Sequence, residues 1–80
     1  MTKDELMNQV EPIIREVFNK PDLAIAEDMG PNNQEAWTSL SFLQLLTAIE
    51  NRFGFRFKIM EIPMLDNLGQ VLDATLRHIS

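Results

Sequence analysis

The sequence predicts an all-α domain, residues 1–80, built as a bundle of three main helices and one short helix. Apolar residues recur at helical spacing in three separate segments. The only short run with alternating apolar residues has no second run to pair with, which argues against a sheet. A composition of 45% hydrophobic and 24% charged residues indicates a folded chain, and 80 residues suffice for only one small core.

The first helix is predicted over roughly residues 3–19. Thr2 with Glu5 three residues later has the form of a capping box at the start of a helix. The apolar residues that follow at helical spacing are Leu6, Val10, Ile13, Ile14, Val17 and Phe18. Pro12 removes a backbone donor within this pattern, so we expect a kink or a restart of the helix there.

A long loop is predicted from Lys20 to Thr38. It is rich in turn-forming residues, namely Pro21, Gly30, Pro31, Asn32 and Asn33. Four apolar residues are expected to pack it onto the helices: Leu23, Ile25, Met29 and Trp37.

The strongest helix pattern covers residues 39–53, SLSFLQLLTAIENRF. At about 100° per residue, its core-facing stripe is predicted to contain Phe42, Leu45, Leu46, Ile49 and Phe53. Gly54 is a natural C-terminal stop.

Downstream, Phe55 and Phe57 predict an extended connector. A short helix is expected around Met60 to Leu65, limited by Pro63. Asp66 or Asn67 can cap a last helix. The predicted core-facing residues of that helix are Leu68, Val71, Leu72, Thr75 and Ile79.

Charge and composition restrict the classes of function. The net charge of −5 and pI near 4.6 disfavour nucleic acid and anionic lipid, and favour partners with basic patches. The absence of cysteine excludes disulfides and thiolate zinc sites. The segment MTKDELMNQV does not resemble a signal peptide, and no apolar run approaches a membrane span. We expect a soluble, cytoplasmic monomer.

The sequence contains no pattern typical of an enzyme or a metal site. His78 is the only histidine, and it is expected to be a solvated surface group. No Ser/His/Asp set, glycine-rich phosphate loop or HExxH pair is present. The loop acids Asp22, Glu27 and Asp28 lack the spacing of a calcium loop.

Ser39 is the candidate functional residue because it opens the strongest predicted helix directly after the long loop. Unpaired backbone N–H groups and the helix dipole favour phosphate at such a position. The alternative is that Thr38 or Ser39 is only an N-cap. On the helical wheel Leu40, Leu43 and Thr47 lie outside the core stripe, on the side of Ser39 and Glu50, and form a candidate docking face.

The run WTSLSFLQLLTAIENRFGFRF, Trp37 to Phe57, resembles the acyl carrier protein segment in which Asp-Ser-Leu opens the second helix and Glu-x-x-Phe-Gly ends it. Ser39 and Leu40 match the first motif, and Glu50, Phe53 and Gly54 match the second. The resemblance extends over the whole chain, including DNLGQVLDATL. It implies an acyl-carrier-like four-helix bundle, with Ser39 receiving 4′-phosphopantetheine from coenzyme A. Acyl groups would travel as thioesters on that arm, in fatty acid, polyketide or related specialised biosynthesis.

Two departures from the family pattern point to a specialised carrier. Thr38 replaces the expected aspartate, and Glu50 is the only carboxylate of the second helix, with Ser41, Gln44, Asn51 and Arg52 at predicted surface positions. The implied partners are a phosphopantetheinyl transferase and acyl-loading, condensing or acyl-transferring enzymes, steered by Glu50 and loop acids such as Glu35. An aminoacyl or peptidyl carrier and a non-modified helical interaction module are the alternatives.

Overall fold

A computed structural model describes every residue from Met1 to Ser80. Three α-helices follow in order, α1 (Lys3–Val17), α2 (Ser39–Phe53) and α3 (Leu68–Ile79), with a short 3₁₀ helix at Ile62–Met64 before α3. No strand is present, and the predicted all-α class is confirmed. None of the helices has the length and apolar character needed to cross a bilayer.

The capping box at the start of α1 is present as predicted. Thr2 Oγ1 accepts the amide of Glu5 at 3.1 Å, and Glu5 Oε1 accepts the amide of Thr2 at 2.9 Å. The helix continues through Pro12, so of the two expected outcomes, a kink or a restart, the restart is wrong. Pro12 is exposed, whereas Val10 and Ile14 are fully buried on either side of it, and packing of that stripe holds the helix together.

The core lies between the three helices, with α1 packed against both α2 and α3. The predicted stripes of α2 and α3 face it, with Phe42, Phe53 and Ile79 half-buried at its edge. The residues with no exposed surface are Leu6, Val10, Ile14, Leu45, Ile49, Leu68, Val71, Leu72, Ala74 and Thr75. Burial of these side chains is the main source of stability in a chain of this length.

The long loop between α1 and α2 is held to the core by the residues expected to anchor it. Met29 and Trp37 are buried, and the Trp37 ring lies edge-on to Phe18 at 6.0 Å and stacked on Phe42 at 5.7 Å. The carbonyl of Met29 also accepts the amide of Leu68 at 2.9 Å. The loop therefore supplies an acceptor for the first turn of α3.

Gly30 lies close to the backbone of the segment before α3. A Cβ built on Gly30 would lie 2.6 Å from the carbonyl oxygen of Asp66. A side chain at this position would push the two backbones apart, so glycine is required by space rather than by backbone angle.

The connection from α2 to α3 begins at Gly54, which has a φ of 74° and ends the helix as predicted. The Glu50 carboxylate accepts the amide of Phe57 at 2.7 Å and holds the extended connector against α2. The short helix covers only Ile62–Met64 of the predicted Met60 to Leu65. Asn67, not Asp66, caps α3 by accepting the amide of Gln70 at 2.9 Å.

His78 is not the solvated surface group that the sequence predicted. Its Nε2 lies 2.6 Å from Glu61 Oε2, and its ring stacks on Phe55 at 4.8 Å. Burial raises the pKa of Glu61, but hydrogen bonds from the Lys58 amide and from His78 outweigh burial and hold that pKa below its usual value. The prediction failed because the connector folds back over the end of α3, a contact between residues far apart in sequence.

Candidate functional site at the start of the second helix

Thr38 and Ser41 close the N-terminus of α2 through reciprocal hydrogen bonds. Thr38 Oγ1 accepts the amide of Ser41 at 3.1 Å, and Ser41 Oγ accepts the amide of Thr38 at 2.8 Å. This is a capping box in which serine takes the place usually held by glutamate or glutamine. Thr38 is therefore the N-cap, and Ser39 is the first residue of the helix.

Ser39 is exposed, and its hydroxyl takes part in no hydrogen bond within the chain. The amides of Ser39 and Leu40 precede the first intrahelical donor and have no acceptor. A hydroxyl group and two unpaired amides thus lie together at the positive end of a helix of 15 residues. Such an arrangement suits a covalently attached phosphate.

Ser41 is in the opposite situation, and its predicted surface position is wrong. It is only 9% exposed, and its hydroxyl donates to the carbonyl of Ala36 at 2.6 Å. With both donor and acceptor functions used, Ser41 is a structural residue of the cap. The three-residue separation between Thr38 and Ser41 was the signal in the sequence that would have identified this pair.

The candidate docking face on α2 is exposed. Leu40 is 67% exposed and Leu43 is 51% exposed, and both lie outside the buried stripe of the helix. Thr47 is exposed one turn further on, and its hydroxyl donates to the carbonyl of Leu43 at 3.0 Å. The surface beside Ser39 is thus apolar along the first two turns and polar in the third.

Glu50, the fourth candidate docking residue, is half-buried because its carboxylate accepts the Phe57 amide. It borders an open groove of about 490 Å³ at the C-terminal end of α2. The lining residues are Thr47, Glu50, Asn51, Gly54, Phe55 and Arg56. The sequence did not single out this groove, because it forms only where the connector turns back beside the helix.

Ser39 has no acidic or basic hydrogen-bond partner within the chain. No histidine or carboxylate is hydrogen-bonded to its hydroxyl, and no group of three or more histidine, cysteine, aspartate or glutamate side chains is placed to hold a metal ion.

Comparison with known proteins identifies relatives of one kind. The chain is 24% identical over 76 residues to an acyl carrier protein of Saccharopolyspora erythraea, covering 95% of this chain and 80% of that protein. It is 24% identical over 78 residues to an acyl carrier protein of Lactobacillus johnsonii, covering 98% of each. The solution structure of a holo acyl carrier protein from Geobacter metallireducens superposes with a TM-score of 0.83 and 26% identity, covering 91% of this chain and 84% of that one. No family model matches the sequence.

Proposed function

We propose that this chain is an acyl carrier protein that carries acyl groups as thioesters on a 4′-phosphopantetheine arm attached to Ser39. The sequence similarity to acyl carrier proteins and the shared fold support this proposal. The observation that carries the choice of residue is the contrast between the two serines of the segment TSLS. Ser39 has an exposed and unbonded hydroxyl, whereas the hydroxyl of Ser41 is buried and fully used.

The residues at the start of α2 fit the attachment of a phosphodiester. Ser39 Oγ attacks the β-phosphorus of coenzyme A, a new P–O bond forms, and the bond to the adenosine 3′,5′-bisphosphate leaving group breaks. The proton of the hydroxyl passes to a base of the phosphopantetheinyl transferase, which also supplies Mg²⁺. The unpaired amides of Ser39 and Leu40 stabilise the phosphate charge that remains on the chain. The arm, once attached, supplies a terminal thiol for thioester formation.

The chain would act as a substrate holder and not as an enzyme, meeting its partners through α2. Leu40 and Leu43 provide apolar contact beside the arm, and Thr47 and Glu50 extend the surface toward the groove. The partners are the transferase and then acyl-loading, condensing or acyl-transferring enzymes in the cytoplasm. Fatty acid, polyketide and related specialised pathways all use such a carrier. These contacts must be transient, because a shuttle that bound tightly would not turn over.

The threonine at position 38 is the observation that supports a second candidate function, a helical interaction module that carries no arm. The aspartate expected before the serine is absent, and Thr38 is used in the helix cap. Aspartate is at least as good an N-cap as threonine, so capping alone does not require threonine here. An aminoacyl carrier differs only in cargo.

The test is incubation of the purified chain with a promiscuous phosphopantetheinyl transferase, coenzyme A and Mg²⁺, followed by intact-mass spectrometry. We expect a single increment of one arm in the wild-type chain and none in Ser39→Ala. Failure of the wild-type chain with several transferases would favour the interaction module. Thr38→Asp then separates two explanations, since rescue would show that the motif has decayed and that the site was correctly placed.

A further inference from the structure

The charges are distributed unevenly along the chain, and the segment that contains α2 is basic. Residues 1–38 contain eight acidic and three basic residues, whereas residues 39–60 contain three basic residues and one acidic residue. The three basic residues are Arg52, Arg56 and Lys58, at the C-terminal end of α2 and in the connector after it. The overall charge of −5 therefore conceals a basic surface at one end of α2.

These three cations are exposed and none forms an ion pair. The ion pairs of the chain are made by Lys3, Arg15 and His78, all outside this region. The two specific partners of Arg52 are neutral, the ring of Phe53 at 5.5 Å and the amide oxygen of Gln9 at 3.3 Å. Glu16 lines the same groove as Arg52 but forms no ion pair with it. The three positive charges are thus available to a partner.

The nearby negative groups do not cancel these charges. The Glu50 carboxylate accepts the Phe57 amide and forms no ion pair with any of the three cations. The Glu61 carboxylate is directed at His78 and is 19% exposed. The C-terminus of α2 contributes roughly half a negative charge, which is small beside three cations.

Apolar side chains lie beside the cations. Ile59 and Met60, directly after Lys58, are 86% and 85% exposed, and no other large apolar side chain of the chain is so open. Arg56 and Asn51 line the groove that continues from Thr47. Apolar side chains rimmed by cations, beside a groove with nitrogen donors, form a surface complementary to apolar residues flanked by carboxylates.

We propose that the surface of Arg52, Arg56, Lys58, Ile59 and Met60, the basic end of α2, binds an acidic, apolar patch on the carrier's protein partner. This deepens the proposed function, because it concerns the partner that meets the same helix.

The helix is 15 residues, or about 22 Å, long, and Glu35 lies in the loop before it. An acidic loop at one end and a basic surface at the other give the complex one favourable orientation, in which Ser39 faces the partner's active-site entrance. An anionic membrane is the poorer occupant, because the acidic remainder of the chain would be repelled by it.

The test uses two synthetic amphipathic helical peptides with the same apolar face, one flanked by glutamates and the other by lysines. Each is titrated into the ¹⁵N-labelled chain, and binding is followed by the amide shifts of residues 51–60. We expect the glutamate peptide to bind about two- to fivefold more tightly for each ion pair it can form, with the difference shrinking in high salt. Arg56→Glu should reduce or reverse the preference.

Lys20→Glu is the matched control. It makes the same change in net charge at another exposed, unpaired cation, near the opposite end of α2, since Phe18 contacts Trp37 there. It should leave the preference unchanged. Equal binding of both peptides, tighter binding of the lysine peptide, or an equal effect of Lys20→Glu would overturn the proposal. The titration is run on the chain with and without an arm. Peptide binding by the unmodified chain does not depend on Ser39, so a failure of this proposal is distinct from a failure of Ser39 to be modified.

Discussion

Replacing the two serines of TSLS one at a time should separate the serine that accepts the arm from the serine that stabilises the fold. Ser41→Ala removes a hydroxyl that is 9% exposed and bonded to Ala36 O at 2.6 Å and Thr38 N at 2.8 Å. The Thr38 amide and the Ala36 carbonyl also bond each other at 3.1 Å, so neither becomes fully unpaired. The cost should therefore be near that of one hydrogen bond, about 1–1.5 kcal/mol.

The better helix propensity of alanine returns about 0.5 kcal/mol. We therefore expect Ser41→Ala to lower the free energy of unfolding by about 0.5–1 kcal/mol, equivalent to a fall in Tm of about 2–8 °C for a domain of this size. Ser39→Ala removes an exposed, unbonded hydroxyl and should stay within about 0.5 kcal/mol of the wild type.

Urea and thermal unfolding measure these differences, and intact-mass spectrometry on the same samples measures modification. The expected pattern is a stable Ser39→Ala chain that accepts no arm and a weakened Ser41→Ala chain that accepts one. A destabilised Ser39→Ala together with an unchanged Ser41→Ala would show that the cap is assigned to the wrong serine. An arm that persists in Ser39→Ala and is lost in Ser41→Ala would refute the proposed attachment site.

Further predictions concern the docking face, a carboxylate and a glycine. Leu43→Glu should change the free energy of unfolding by no more than about 0.5 kcal/mol and should slow transfer of the arm. Leu46→Glu, at a buried position, should unfold the domain. If Leu43→Glu also unfolded the domain, Leu43 would belong to the core. The pKa of Glu61 is lower in the folded chain than in the unfolded chain. The ionised carboxylate should therefore stabilise the fold above pH 4.5, and this contribution should be lost as the pH falls through the folded pKa. In urea unfolding, the stability of Glu61→Gln should depend less on pH in that range than the stability of the wild type. Gly30→Ala should cost about 1–3 kcal/mol in urea unfolding because of the clash with the Asp66 carbonyl, and an unchanged midpoint would show that the loop shifts freely.

The sequence predicted elements that depend on local chemistry. The capping box at Thr2, the bounds of α2 and the stop at Gly54 follow from side chains acting on their own or adjacent turns, and all three are confirmed. The core stripes also followed from periodicity, since a helix of known phase fixes which side chains share a face. The resemblance to acyl carrier proteins came from the same local segments and agrees with the relatives found.

Predictions failed where neighbours distant in sequence decide the outcome. Pro12 is compatible with an unbroken helix because the buried stripe on either side is held by other helices. His78 is half-buried because the connector of Phe55 and Glu61 folds over it.

At the candidate site the sequence by itself determined that a serine opens a well-formed helix after a long loop, because the helical pattern and the turn residues are local. The tertiary structure decided which hydroxyl is available. The loop brings the Ala36 carbonyl to Ser41 and not to Ser39. A hydrogen-bond acceptor positioned by the path of the loop cannot be inferred from helical spacing, and this contact occupies the hydroxyl of Ser41 while the hydroxyl of Ser39 makes none.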